Sequence, residues 1–267
     1  MSVVFADFAA AQAFQATQVS YLERGDVAGL LRTCYAPEAR LHTFGFRAEG
    51  HAAIGQVLGV YLNRLSQLGA RSLDKFAAGI DYIWLELTIE QPGSAEPIRV
   101  YELKFLRDGK IYLQLFGVKQ GVVWPNTDFA GQELPNSSAA RGFHRRYLRY
   151  HAEGDANGLA DNFFADDARL VTGQVDVTGR ESIRALFQKL FAKETDFTPI
   201  SVENITSDVD YVWFEATAAS SLGQRQVYDV MLICDGKVCL QLVGQLSGVL
   251  PTDTTFGNSP NTYASAL

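Results

Sequence analysis

The sequence is poor in the residues that staple or metallate a fold. Its 267 residues include three cysteines, four histidines and two methionines. Cys34, Cys234 and Cys239 are odd in number and form no framework, so reduced thiols in a cytoplasmic protein are expected. Cys234 and Cys239 flank an Asp-Gly turn but not at directly opposed positions, which argues against a disulfide or a metal there. His144 and His151 lie two helical turns apart, about 10.5 Å of rise, too far to share one metal. No metal and no cofactor is expected, because the sequence lacks a Gly-rich phosphate loop and a nicotinamide or flavin fingerprint. No apolar run approaches the ~20 residues of a membrane span. The opening MSVVFADFAAAQAF has no cationic start, which disfavours a signal peptide. Positive charge is short as well: the net charge of −7 disfavours a nucleic-acid partner. The one basic cluster, Arg145, Arg146 and Arg149, falls on an expected helix and reads as a solvated face.

What is present is ordinary globular material, written twice. At 47% hydrophobic and 20% charged residues the chain can bury a core, and its length suits two domains. DYIWLE at residues 81–86 returns as DYVWFE at 210–215, an offset of 129. The same offset gives twelve identities between Tyr21 and Ile54, among them Gly25/Gly154, Asp26/Asp155 and Thr43/Thr172. Beyond the loop EQPGSAEP, two residues longer than its counterpart, the offset becomes 127 and aligns Tyr101/Tyr228, Gly109/Gly236 and Gln114/Gln241. A repeat this large is a domain, not a solenoid unit. The expected units are 1–128 and 138–255, with a turn-rich linker at 129–137 and a loosely ordered tail at 256–267.

Each unit carries the same order of elements. A first helix ends at Gly25 or Gly154, and Asp26 or Asp155 caps a short second helix. A strand, ARLHTF or ARLVTG, precedes a third helix, with Ile54, Leu58 and Leu62 on one face in unit 1 and Ile183, Leu186 and Phe187 in unit 2. Strands follow, and the last two are joined through Asp-Gly, the signal of a two-residue hairpin. Helices first and antiparallel strands afterwards make an α+β fold.

The segments YLERGDVAGLLRTCYAPEARL and YHAEGDANGLADNFFADDARL, with the glycine-then-helix segment and the hairpins, resemble the SnoaL-like and ketosteroid-isomerase-like branch of the nuclear-transport-factor-2-like superfamily. The resemblance covers nearly the whole chain, twice. It implies two cone-shaped domains, each a curved, mainly antiparallel sheet wrapped on helices around an apolar cavity, paired within the chain as a pseudo-dimer. It also implies a small apolar or aromatic, polyketide-like ligand. The family includes cyclases and isomerases alongside ligand-binding and partner-binding modules, so fold alone leaves all three open.

Carried onto this sequence, the family's base carboxylate falls at Thr43 and Thr172, neither of which is a base. His42 is adjacent, on the other strand face. The oxyanion-stabilising acid, counted eight residues back from the hairpin glycine, falls at Tyr101 and Tyr228, where a phenol still donates. The family's helix tyrosine falls near Gln18 in unit 1 and on or beside Tyr147 in unit 2. By the same alignment the face bearing Tyr82, Trp84 and Glu86, with Tyr211, Trp213 and Glu215, lines the cavity. Glu86 and Glu215 are then the expected acid/base residues and the aromatics are pocket walls. The reverse sense puts those glutamates at a sheet–sheet interface. Gln114 and Gln241 are candidate ligand-facing amides. If the chain is an enzyme, unit 1 with Glu86, His42 and Tyr101 is expected to dominate, promoting cyclisation or isomerisation without a cofactor.

Overall fold

The structure is a computed structural model, and it describes residues 5–121 and 137–248. These fall into two compact units, one on each side of residues 122–136. The expected tail lies outside the described residues, as does the expected linker up to Ser137, where a helix begins.

Unit 1 runs α1 (Phe8–Glu23), α2 (Val27–Cys34), β1 (Tyr35–His42), β2 (Arg47–Glu49), α3 (Gly50–Leu65), β3 (Arg71–Ala78), β4 (Tyr82–Ile89), β5 (Ile98–Arg107) and β6 (Lys110–Gln120). Unit 2 repeats the order with α4 (Ser137–Glu153), α5 (Ala156–Phe163), β7 (Phe164–Val171), β8 (Asp176–Thr178), α6 (Arg180–Lys193), β9 (Thr198–Asp208), β10 (Tyr211–Ser220), β11 (Gly223–Cys234) and β12 (Lys237–Ser247). Among the described residues there are six helices and two six-stranded sheets. The strand orders match, β2-β1-β6-β5-β4-β3 and β8-β7-β12-β11-β10-β9, and the sheets do not close. Among the described residues only the β1–β6 and β7–β12 pairings are parallel. The fold is α+β, twice.

The repeated motif has a local cause. Asp26 accepts the Gly29 backbone N–H at 2.8 Å, and Asp155 accepts that of Gly158 at 2.8 Å, so each caps a short helix. A Cβ at Gly29 would meet Asp26 Oδ2 at 2.2 Å and the Tyr21 ring at 2.6 Å; at Gly158 it would meet Asp155 Oδ2 at 2.3 Å and the Tyr150 ring at 2.5 Å. Tyr, Asp and Gly are thus retained together because they occupy one volume. The hairpins are as expected: Asp108 and Gly109 both have positive φ (51° and 75°), as do Asp235 and Gly236 (51° and 77°).

Burying one face of each amphipathic helix against one face of its sheet makes the core. In unit 1 this joins Leu30, Leu31, Ile54, Val57 and Leu58 to Ile83 and Leu85; in unit 2 it joins Leu159, Phe163, Ile183 and Phe187 to Val212 and Phe214. Arg145, Arg146 and Arg149 are exposed on α4. No helix among the described residues is long and apolar enough to cross a membrane.

One expectation is corrected here. Cys234 and Cys239 form a disulfide, and Cys34 is free and buried. Cys239 is the extra residue of a β-bulge, because Leu232 pairs with Leu240 and Ile233 with Val238. A bulge re-aims its side chain, so two cysteines that are not opposed in register still meet. Unit 1 bulges at the same place: Phe105 pairs with Leu113 and Leu106 with Ile111, leaving Tyr112 over. There Arg107 and Tyr112 stand in the cysteines' positions, with the guanidinium 4.5 Å from the ring centroid.

Candidate functional site

Each unit holds a cavity between its helices and the helix-facing side of its sheet. The unit 2 cavity has a volume of about 130 Å³ and the unit 1 cavity about 500 Å³.

In unit 2, α4 sets one wall. His144, Tyr147 and His151 follow the i, i+3, i+7 spacing of one helix face, and all three line the cavity. Phe187, Leu190, Phe197 and Phe214 make much of the apolar remainder. Opposite, β11 contributes Asp229 and β12 contributes Gln241. The Gln241 amide donates from Nε2 to the Tyr147 hydroxyl at 2.9 Å and to Asp229 Oδ2 at 2.7 Å. Asp229 Oδ1 and Gln241 Oε1 are buried without a hydrogen-bond partner among the described residues. Burial pushes the Asp229 carboxyl up to about 8, against the opposing bond from Gln241. Burial lowers His144 to about 4, with Arg141 adding to it, and lowers His151 to about 3, with Arg225 and His144 adding. Burial, then the nearby Asp229, holds the Tyr147 phenol well above its ordinary range. Around pH 7 the cavity therefore presents a neutral acid, a neutral phenol and two neutral imidazoles. Arg225, at its edge, is ion-paired with Glu194.

Unit 1 fills the same positions differently. Gln15, Gln18 and Leu22 stand where unit 2 has His144, Tyr147 and His151, and Glu102 and Lys104 stand where it has Asp229 and Met231. Lys104 Nζ lies 3.2 Å from Glu102 Oε2 and donates to Gln15 Oε1 at 2.8 Å and to Gln18 Oε1 at 2.9 Å. Gln114 donates to Glu102 Oε1 and accepts from Tyr35. Burial, reinforced by Glu102, keeps the Tyr35 phenol well above its ordinary range.

Of the residues singled out in the sequence, Gln18, Gln114, Tyr147, Thr172 and Gln241 line a cavity. The Tyr-Trp-Glu face does not, and this is a correction. Strand alternation is as read, but its sense is inverted: Ile83, Leu85 and Leu87 face the helices, and Tyr82, Trp84 and Glu86 lie on the opposite face. Tyr101 pairs with Glu86 and shares that face, as Tyr228 does with Glu215. Glu86 is ion-paired with Lys119 at 2.7 Å, Lys75 Nζ sits 3.1 Å from the Trp84 ring centroid, and Glu215 accepts from Asn204 at 2.6 Å. Tyr101 and Tyr228 pack against Gly117 and Gly244, where a Cβ would come within 2.0 and 1.9 Å of their rings. Trp213 and Tyr211 are buried on the same side of β10 as Glu215. His42 is buried on the β1 face opposite the cavity-lining Leu41. The hydroxyls of Thr43 and Thr172 are committed to turns: Thr43 accepts from the Gly45 and Phe46 backbones, both at 3.0 Å, and Thr172 accepts from Gln174 and Val175 at 3.1 and 3.0 Å.

The sequence reading missed the cavity acids by one residue. Glu102 and Asp229 lie one position after Tyr101 and Tyr228, and that step crosses the sheet. The offset of 127 that paired the tyrosines also pairs two acids, which was the available signal. The α4 histidines, too far apart to share a metal, form with Tyr147 a polar face on a cavity-lining helix, legible in their i, i+3, i+7 spacing.

Residues 144–239 match the family model of the SnoaL-like domain. Solved structures similar to the chain include a steroid delta-isomerase from Pseudomonas aeruginosa, 17% identical at TM-score 0.34, covering 42% of this chain and 82% of its own. Another is the epoxide hydrolase/cyclase-like enzyme SalBIII of pyran ring formation in polyether salinomycin, 19% identical at TM-score 0.35, covering 41% and 92%. A third is a provisionally named polyketide cyclase from Sinorhizobium meliloti, 15% identical at TM-score 0.34, covering 38% and 93%. No curated protein matches the chain. The SnoaL-like match thus lies within the second unit, and the first unit repeats that unit's element order and strand order as a tandem copy of the same α+β fold.

Proposed function

We propose that unit 2 binds a small, largely apolar carbonyl compound and promotes its cyclisation or isomerisation by proton transfer, with Asp229 as the acid and Tyr147 as its companion donor. The observation that carries this is the neutral Asp229 carboxyl, buried in an apolar cavity with Oδ1 unpartnered among the described residues. Because Gln241 donates to both Tyr147 and Asp229, neither acid proton is spent on that amide, and both remain for a ligand oxygen. As negative charge grows on a carbonyl oxygen during enolisation or ring closure, two donors in a dry cavity stabilise it more than they stabilise the neutral carbonyl. A neutral imidazole at about 4 or about 3 accepts a proton weakly, so acid assistance is the main contribution. The volume, about 130 Å³, is close to the ~150 Å³ of an engineered cavity that takes benzene, which favours a compound of about one ring.

A second reading, binding without chemistry, is favoured by Thr172, whose hydroxyl is tied to its own turn where the resemblance asks for a basic carboxylate. Mass spectrometry of small molecules that co-purify with the chain supplies the candidate substrate for both. Asp229→Asn is then expected to bind it but to turn it over about 10²–10⁴-fold more slowly, and the parent rate is expected to fall above pH about 8. Parental turnover by Asp229→Asn would reject the assignment. Binding with no turnover by the parent would favour the second reading.

A further inference from the structure

We infer that the unit 1 cavity is a second, separate binding site, for a neutral amphiphilic molecule with one hydrogen-bond-accepting oxygen, and that it holds this molecule without converting it. The cavity, about 500 Å³, lies within the usual ~300–1,000 Å³ of small-molecule sites and is far larger than that of unit 2. Its lining combines apolar side chains, among them Leu58, Leu73, Leu87 and Phe116, with a polar group of Gln15, Gln18, Glu102, Lys104 and Gln114.

The buried polar centre is already balanced, and the two other charged residues of the lining, Glu23 and Arg71, are exposed and opposite in sign. Lys104 has three donors and three acceptors: Glu102, Gln15 and Gln18. Glu102 has one oxygen on Lys104 and the other on Gln114. The central charges cancel, so an ionic ligand would meet an opposing charge as close as its partner. Because Lys104 takes the Oε1 of both Gln15 and Gln18, the groups these side chains have left are amide N–H donors. A carbonyl or ether oxygen suits them.

The same network accounts for the lack of conversion. The carboxylate that would give or take a proton is engaged at both oxygens. In unit 2 the position of Lys104 holds Met231, and no lysine among the described residues lines the cavity with Asp229. One strand position thus separates a held acid from an available one.

The probe is 2-acetonaphthone bearing a trideuterated acetyl group, a two-ring ketone too large for the unit 2 cavity. Titration calorimetry on the full chain is expected to give one site, unaffected by Asp229→Asn and weakened at least tenfold by Leu87→Trp, which fills the cavity. Should Leu87→Trp fail to fold, Gln18→Met removes one amide at similar volume and is expected to weaken binding about five- to tenfold. Conversion is read as loss of deuterium from the acetyl group in ordinary water: a C–D bond breaks, the deuteron passes to a carboxylate oxygen, and the enolate takes back a solvent-derived proton. With the Asp229→Asn chain, washout is expected at the buffer rate. Absence of binding, or binding abolished by Asp229→Asn and not by Leu87→Trp, overturns the site. Washout accelerated above the buffer rate by the Asp229→Asn chain, in which the unit 2 acid is absent, overturns its silence. Neither result bears on turnover by unit 2, which the rate of Asp229→Asn on its own substrate decides.

Discussion

A buried carboxyl group takes its character from what stands beside it, and this chain makes the comparison internally. Asp229 has an amide for company and is held neutral; Glu102, at the same place in the other copy, has an ammonium. Holding Asp229 neutral has a thermodynamic consequence. The unfolded chain ionises this group near pH 4, and the folded chain near pH 8. Between those values the folded state binds the extra proton, so stability falls as pH rises, by up to about 1.4 kcal/mol per pH unit. Asp229→Asn removes that dependence. Its thermal midpoint is expected to exceed the parent's by more at pH 8 than at pH 5, and an equal difference at both would show that the carboxyl is already charged. Glu86 provides the contrast. It faces away from the cavity with Lys119 alongside, so Glu86→Gln is expected to leave turnover of a unit 2 substrate within about twofold, measured on the candidate that co-purifies.

Elements were legible where a residue's local chemistry decides its conformation, and illegible where only burial decides. Caps, hairpins and helix faces follow from Asp26, Asp155, the Asp-Gly turns and the 3.6-residue period, and the sequence displays all of these. The sense of β4 is different. Tyr82, Ile83, Trp84 and Leu85 are all buried, so the strand shows a period of two without a wet face to say which side is inside. Glu86 and Glu215 fall on the wrong face for that reason; the cavity acids Glu102 and Asp229 lie one residue from the position that a count of eight from the hairpin glycine gives, and the disulfide is hidden because a bulge cannot be counted from the hairpin outward. The rings of Tyr101 and Tyr228 offer a check on this geometry. Gly244→Ala places a methyl group 1.9 Å from the fully buried Tyr228 ring, so the ring or the strand has to shift. Chemical denaturation is expected to show a loss of about 1–3 kcal/mol, and the same substitution is expected to cost much less in a Tyr228→Ala background, where the ring it meets is gone. A variant as stable as the parent would mean the ring does not lie on the glycine.

At the scale of the whole molecule, the two copies should respond differently to acid. His144 and His151 stay neutral in the folded state down to about 4 and about 3, whereas the unfolded chain protonates them near pH 6.5. Each therefore removes up to about 1.4 kcal/mol per pH unit as pH falls from 6.5. Asp229 gains stability over part of that range, so the net loss is about that of one histidine. Unit 1 has glutamine and leucine at the corresponding positions. Hydrogen exchange read by mass spectrometry is expected to show amides of α4 and β11 opening faster, after correction for intrinsic rates, at pH 4.5 than at pH 6.5, with α1 and β5 changing less. The reverse order would refute it. The lock around Lys104 has a historical corollary. Removing either partner of a buried ion pair alone destabilises by about 3–5 kcal/mol, a large fraction of what an ordinary domain has to spare. Lys104→Met strands a carboxylate, and Glu102→Gln strands an ammonium between two amides. The first copy therefore sits in a local fitness valley's far side: drift by single substitutions is expected to repack the walls of its cavity, at Leu58, Leu73 or Leu87, long before it touches the charges at the centre.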